Sequence, residues 1–162
     1  MTGSHRFGRY AQDVEQARQA LLDAASVALA KDGRLLGSAT GKGVLPLLRL
    51  LAEHSKEASG AVVADKVVGK AAAMLMADAG VAFVYAELMS EKAHECLRSW
   101  DVEHFAQKRV SYIKDRTGQG VCPMEKLSDE FRDCADLRRE LERRLLGTES
   151  TPSDRSEHLE RY

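Results

Sequence analysis

The first third of the chain shows the apolar spacing of a helix, a hairpin and a second helix. Apolar residues recur at helical spacing between residues 11 and 25, which predicts an amphipathic helix. Two short apolar runs then flank Asp32-Gly33, a pair typical of tight hairpin turns, so we predict strands at about 26–31 and 34–38. The leucine-rich segment around Pro46 predicts a second helix, buried on most of its surface.

The middle of the chain has the pattern of parallel strands joined by helices. The apolar run AVVA predicts a buried strand, after which Asp65 is expected to be the N-cap of a helix. Gly80 ends that helix, the run VAFVYAEL predicts a second buried strand, and Ser90 is expected to cap the next helix. Strands and helices that alternate at this spacing form right-handed parallel crossovers, so the sequence predicts an α/β fold.

The last third predicts one more strand and two more helices. VEHFA at 102–106 has the strand pattern, and the loop TGQG leads into a helix that begins near CPMEK. A final helix carries three leucines on one face, at positions 137, 141 and 145. We therefore expect a flexible N-terminus at 1–10, one domain at 11–146, and a polar, disordered tail at 147–162.

Composition narrows the possible partners. The formal net charge is −1 and 30% of the residues are charged, with both signs interspersed, so there is no specific nucleic-acid signal. No apolar run reaches the ~20 residues of a membrane span, and no signal peptide is recognisable, so we expect a cytoplasmic protein that does not bind membranes. Three cysteines without a CxxC pair predict neither a disulfide framework nor a cysteine-rich zinc site. No cofactor is expected, and a homo-oligomer remains open.

Asp65, Ser90 and Cys122 each stand where a helix is predicted to begin. Two of them follow parallel strands directly, and ligands of open α/β sheets bind at the carboxyl edge of the strands. Helix N-termini carry partial positive charge and unpaired N–H groups, which suit phosphate or carboxylate. The sequence therefore predicts a ligand pocket bounded by these three residues. The alternative is that each residue only caps its helix.

Cys122 is the sharpest of the three candidates. As an N-cap it places Pro123 at the first helical position and Glu125 at the third, where both residue types are favoured. The helix dipole favours a thiolate at this position, whereas Glu125 opposes a second negative charge. Gly118 and Gly120 allow the loop backbone to approach a ligand closely. The alternative is a buried, unreactive cysteine.

Three further charged residues are candidates for ligand binding. Lys66 and Lys70 are four residues apart, so we expect them to share a helix face near the pocket, where they suit an anionic ligand. Glu87 interrupts an apolar strand, and a buried carboxylate needs a partner or a pocket; the alternative is that it faces solvent. No HExxH, Walker, GxGxxG or GxSxG pattern is present, so a metal hydrolase is a poor interpretation.

Three phrases, VVADKVVGKAAAMLM, VYAELMSEKA and TGQGVCPMEK, resemble a family of uncharacterised bacterial and archaeal proteins with a cytidine-deaminase-like fold. The resemblance covers about residues 12–146 and implies a three-layer α/β/α sandwich around a mixed sheet. In zinc deaminases of this fold, two helices begin with the metal ligands and the proton-shuttling glutamate. The corresponding positions here read Ala64-Asp65-Lys66 and Met89-Ser90-Glu91-Lys92-Ala93, without a zinc ligand and with lysine in the place of that glutamate. The resemblance thus implies the fold and a pocket, but not zinc-dependent deamination.

Three hypotheses for function follow, in order of preference. The first is a noncatalytic module that binds a small polar or phosphorylated, nucleotide-like ligand. The second is a zinc-independent enzyme in which Cys122 is the nucleophile, Lys66 stabilises the thiolate or an anionic intermediate, and Asp65 orients a partner. The third is a protein-interaction domain that uses the C-terminal helix and the charged tail.

Overall fold

A computed structural model describes residues 6–147, and a mixed five-stranded sheet lies at its centre. The strand order is β2-β1-β3-β4-β5; β1 is antiparallel to β2 and β3, whereas β3, β4 and β5 are parallel. The strands are β1 (Val27–Lys31), β2 (Arg34–Ala39), β3 (Val62–Val68), β4 (Phe83–Ser90) and β5 (Glu103–Val110). The predicted hairpin is present, with Asp32 and Gly33 both at positive φ, as its two-residue turn requires.

Helices cover both faces of the sheet, which confirms the predicted three-layer α/β/α sandwich. They are α1 (Ala11–Leu22), α2 (Leu45–Glu53), α3 (Lys70–Asp78), α4 (Glu91–Ser99), α5 (Pro123–Ser128) and α6 (Cys134–Leu141), with a 3-10 turn at Gly8–Tyr10 and a π-helical turn at Glu142–Leu146. α1 packs its apolar face on one side of the sheet, and the larger core on the other side includes residues from all the remaining helices. None of the helices between residues 6 and 147 is long and apolar enough to cross a membrane.

The beginning of the described chain packs on the sheet. The ring of Phe7 meets three aromatic rings of β4 and β5 edge-on at centroid distances of 5.5–5.9 Å, those of Phe83, Tyr85 and Phe105. Residues 1–5 and 148–162 lie outside the described part of the chain. The predicted domain limits, including the disordered tail, therefore stay predictions.

The predicted helix start at Asp65 is wrong. β3 continues through Asp65 and Lys66 to Val68, and α3 begins only at Lys70, after Gly69 in an extended conformation. Val67 and Val68 are β-branched and pair with β4, so they prolong the strand. Asp65 is therefore not an N-cap, and Lys66 and Lys70 do not share a helix face.

Candidate functional site

A pocket of about 590 Å³ lies beside the carboxyl end of β3. Its lining comes from the loop before α2, the end of β3, the first turn of α3, the loop between β5 and α5, and the start of α5. A smaller depression of about 310 Å³ between α1 and β2 contains none of the predicted site residues. The larger pocket is therefore the candidate site.

The structure brings together half of the eight predicted site residues. Asp65, Lys66, Cys122 and Glu125 all line the pocket. The other four do not: Ser90, Lys70, Glu87 and Gly120. Of the three positions predicted to bound the pocket, 65 and 122 line it. Ser90 does not line it and lies behind Glu125.

Glu125 is a buried carboxylate held by three donors. Only 2% of its surface is exposed. Oε1 accepts hydrogen bonds from the backbone N–H of Lys70 at 3.2 Å and from Oγ of Ser90 at 2.6 Å, and Oε2 accepts one from the N–H of Ile113 at 3.0 Å. The carboxylate of Glu125 therefore lies at the N-terminus of α3. Helix N-termini are where the sequence predicts the anionic group of a ligand. Glu125 does not cap its own helix, because the N–H of Cys122 donates to the carbonyl of Ile113.

Ser90 serves this arrangement from behind the pocket. It is the N-cap of α4, as predicted, since its Oγ accepts a hydrogen bond from the N–H of Ala93 at 3.1 Å. The same hydroxyl donates to Glu125, and the residue is fully buried. Ser90 does not line the pocket, and its hydroxyl holds Glu125; its predicted role in ligand binding stays a prediction.

The remaining three predicted residues have other surroundings. The ammonium group of Lys70 pairs with Asp129 at 3.0 Å. Gly120 belongs to a turn in which its carbonyl accepts from the N–H of Asp115, and a Cβ at this position would meet the Asp115 carboxylate at 2.7 Å. Glu87 is half-buried on β4, and its charge acts on Asp65. Their predicted roles in ligand binding stay predictions.

Asp65 is a buried carboxyl group with few hydrogen-bond donors around it to stabilise a negative charge. It is 9% exposed, and Oδ1 accepts a hydrogen bond from the N–H of Val67 at 3.2 Å. Burial raises the pKa of Asp65 to about 8; backbone donors at Val67 and Lys66 oppose the rise, and the charge of Glu87 adds to it. At pH 7 Asp65 is therefore mostly the neutral acid, which has an O–H group to donate.

Basic side chains outnumber ionised acids around the pocket. Lys42, Lys66 and Lys114 line it and make no ion pair with any residue that the structure describes, and Arg116 lines it as well. The carboxylate of Asp115 accepts hydrogen bonds from the N–H and Oγ1 of Thr117, and this contact lowers its pKa. Among residues 6–147, and with Asp65 neutral, the pocket lining carries four cationic groups and two carboxylates.

Of these four cations, sequence reasoning identified only Lys66 and missed Lys42, Lys114 and Arg116. Lys42 stands between Gly41 and Gly43, and such flanking glycines were a signal that the backbone approaches something closely. Lys114 had no comparable signal, because its position depends on the isolated bridge that it forms with Val121.

Cys122 is the only one of the three cysteines in the described chain that lines this pocket. It is half-buried at the N-cap position of α5, as predicted, with Pro123 as the first helical residue. Its side chain makes no capping hydrogen bond. Cys96 and Cys134 are buried elsewhere and hydrogen-bonded to each other. The structure therefore gives Cys122 a distinct environment.

The residues at the helix starts do not fit the zinc site of a deaminase. α3 starts with Gly69-Lys70-Ala71, and α4 follows Ser90, so neither start provides histidine or cysteine ligands. Across residues 6–147, no three histidine, cysteine, aspartate or glutamate side chains gather as a set of metal ligands.

Solved structures and protein families show what the chain is similar to. A crystal structure of a DUF1893 family protein (TM1506) from Thermotoga maritima matches 76% of this chain and 86% of its own, with 24% identity and a TM-score of 0.70, which shows the fold. Acinetobacter baumannii RibD matches 75% of this chain and 36% of its own, with 18% identity. Its TM-score is 0.38, which is too low to show a shared fold. No curated protein matches the chain. Residues 16–145 match the family described as TM1506, domain of unknown function (DUF1893), and the chain belongs to that family.

Proposed function

We propose that the pocket binds a small molecule with an anionic group, such as a nucleotide-like or other phosphorylated compound. The observation that carries this proposal is the set of three lysines without ion-pair partners in residues 6–147, namely Lys42, Lys66 and Lys114, on the lining of one pocket. A volume of about 590 Å³ is in the range of small-molecule sites.

The lining favours a ligand that is anionic at one end and uncharged at the other. Like charges held near one another repel, and an anion between the lysines removes this cost. The rest of the lining is largely apolar, with side chains of Val44, Leu47, Ile113 and Met124. Such a surface contacts the uncharged part of a ligand and excludes water from it. Phosphate contacts from lysine thus supply charge recognition, and the apolar wall supplies contact area.

Binding measurements on matched compounds test the proposal. We expect nucleoside monophosphates or sugar phosphates to raise the melting temperature, and their unphosphorylated counterparts to have little effect. Because a hydrogen bond to a charged group contributes about 1.5–3 kcal/mol, Lys66→Ala should weaken binding at least roughly tenfold in titration calorimetry. Lys56→Ala is the matched control, since Lys56 is exposed and does not line the pocket.

Two results would contradict ligand binding at this pocket. One is that no phosphorylated compound in a broad panel raises the melting temperature. The other is that Lys56→Ala weakens binding as much as Lys66→Ala, because the lysines would then act only through the overall charge of the protein.

A second candidate function is a zinc-independent enzyme with Cys122 as nucleophile. The observation in its favour is that Cys122, Asp65 and Lys66 line the same pocket. If it is correct, Cys122 should react with iodoacetamide well below pH 8, and Lys66→Ala should slow this reaction. Equal, slow labelling of Cys122, Cys96 and Cys134 would contradict it. Cys122→Ser is the control that identifies the modified residue.

The remaining expectations have less support. The interaction-domain hypothesis relies on a tail outside residues 6–147, and Arg138 and Arg139 of α6 already pair with acidic residues of the same chain. The relation to deaminases, the cytoplasmic location and the oligomeric state stay predictions.

A further inference from the structure

Asp65 is a polar group in the pocket lining whose second oxygen has no partner. The side chain is more than nine-tenths buried. Oδ1 accepts from the N–H of Val67. The N–H of Lys66 also favours the ionised form of Asp65, but it donates its hydrogen bond to the carbonyl of Ser26. No residue between 6 and 147 therefore forms a hydrogen bond to Oδ2. Burying a carboxyl oxygen without a partner is costly, and a ligand in the pocket removes this cost if it hydrogen-bonds there. The geometry thus gives Asp65 a role toward the ligand.

Titratable and charged groups from several elements line the pocket together with Asp65, and Glu87 acts on it from β4. The cations of the pocket are Lys66 on the same strand, Lys42 in the loop before α2, and Lys114 and Arg116 in the loop after β5. The acidic and thiol groups are Asp115 in that loop, Cys122 and Glu125 at the start of α5, and Glu87 on β4. An ionised Asp65 would add a third carboxylate to the lining, beside the anionic group of the proposed ligand.

We propose that the pocket binds its anionic ligand together with a proton on Asp65, whose neutral carboxyl group donates a hydrogen bond from Oδ2 to an oxygen of the ligand. This inference rests on the proposed function. The proton remains on Asp65, and no bond of the ligand is broken. Ionisation of Asp65 would remove the donor and place two negative charges close together, so both effects weaken binding.

The pH range in which this coupling is visible follows from the surroundings of Asp65. Burial raises the pKa of Asp65 to about 8, and a bound anion raises it further. A phosphate monoester has a second pKa of about 6, so above about pH 7.5 its own charge no longer changes. Lysine side chains titrate near ~10.4. Between about pH 7.5 and 9, Asp65 is therefore the pocket carboxyl group expected to change its charge.

Titration calorimetry with three phosphate monoesters tests the inference: adenosine 5′-monophosphate, ribose 5-phosphate and glycerol 3-phosphate. From a pKa of about 8, we expect the affinity of the wild-type protein to fall roughly eightfold from pH 7.5 to pH 9. Near pH 8, titrations in buffers of different ionisation enthalpy should show uptake of about half a proton per ligand. Asp65→Asn keeps a neutral donor at this position and should change affinity less than about twofold over the same pH range.

Lys42→Ala is the control that separates the inference from the proposed function. It should weaken binding at every pH and keep the pH dependence, because Lys42 contributes charge but no proton. Wild-type affinity that is equal at pH 7.5 and pH 9, with Lys42→Ala still weaker, overturns the role of Asp65 and leaves the proposed function standing. If none of the three probes binds at pH 7.5, both are overturned. Melting curves of each variant verify that it is folded.

Discussion

Asp65 and Glu125 line the same pocket and are both buried, yet their carboxyl groups have opposite surroundings. Glu125 accepts three hydrogen bonds, from Lys70, Ser90 and Ile113, which compensate a negative charge. Among residues 6–147, Asp65 accepts a hydrogen bond only from Val67, and burial raises the pKa of Asp65 to about 8. Burial alone therefore does not decide what a carboxyl group does; the number of donors around it does.

The same contrast separates the two residues by role. The three donors of Glu125 come from the start of α3, the end of β4 and the loop after β5, so this side chain ties three parts of the pocket together. Within residues 6–147, the side-chain hydrogen bond of Asp65 stays in its own strand. Glu125 is thus part of the framework of the pocket, and Asp65 remains available to a ligand.

The largest expected effect is that Asp65→Asn stabilises the protein in mild alkali. Asp65 keeps its proton in the folded chain up to about pH 8 but ionises near 3.8 when unfolded, so its contribution is fully present below pH 3.8 and is lost as the pH rises to about 8. At ~1.36 kcal/mol per pKa unit, the ceiling of this loss is about 6 kcal/mol. Urea unfolding at pH 4 and pH 8 should show that the variant gains stability over wild type only at pH 8. Parallel profiles of the two proteins would break the comparison.

The opposite sign is expected for the same change at Glu125. Glu125→Gln replaces one carboxylate oxygen by an N–H donor, which then faces a backbone N–H or the Ser90 hydroxyl. Losing a charge-assisted bond and leaving a buried donor unpaired should lower the free energy of unfolding by about 3 kcal/mol. Glu130→Gln in the same segment is the matched control, since Glu130 is exposed. If Glu125→Gln were as stable as Glu130→Gln, a neutral amide would satisfy the three donors as well as the carboxylate does.

A smaller loss is expected when one donor to Glu125 is removed. Ser90→Ala deletes the hydroxyl that donates to Glu125 and that caps α4. Together these contacts should contribute about 2 kcal/mol, less than the loss at Glu125 itself. In a double-mutant cycle with Glu125→Gln, the two losses should be less than additive, because both variants break the same bond. Full additivity would contradict the proposed contact.

The smallest effect is expected at an exposed carboxylate. Asp129 pairs with Lys92 and Lys70, and its side chain is 43% exposed. The hydrogen bond from Lys92 lowers the pKa of Asp129, so Asp129→Asn should destabilise only above that lowered pKa. Because water screens exposed pairs, the loss at pH 7 should be at most about 1 kcal/mol and should shrink in 1 M salt. If Asp129→Asn lowered the free energy of unfolding as much as Glu125→Gln does, solvent exposure would not explain the difference between the two carboxylates.

Features that depend on neighbouring residues could be predicted from the sequence. The Asp32-Gly33 turn, the parallel strands and the Ser90 cap all follow from short local patterns, and the structure contains each of them. Local rules also produced the main error. An aspartate after AVVA has the pattern of an N-cap, but Val67 and Val68 pair with β4 and carry the strand past Asp65.

The role of Glu125 could not be predicted because its partners are distant in sequence. Lys70 is 55 residues away and Ser90 is 35 residues away, so no local pattern links them. The sequence indicated the correct segment, VCPME, but assigned to Glu125 a capping bond to its own helix. The cationic lining could not be predicted for the same reason. Lys42 and Lys114 are distant in sequence and line one pocket only in the folded chain.

Ile113 makes two backbone hydrogen bonds that fix the loop between β5 and α5, one wall of the pocket. Its N–H donates to Glu125, and its carbonyl accepts from the N–H of Cys122 where α5 begins. The segment between these two anchors is a closed loop whose tip, from Asp115 to Gly120, is fixed mainly by its own turn. A change in the sequence or length of this tip therefore leaves the sheet beneath it intact.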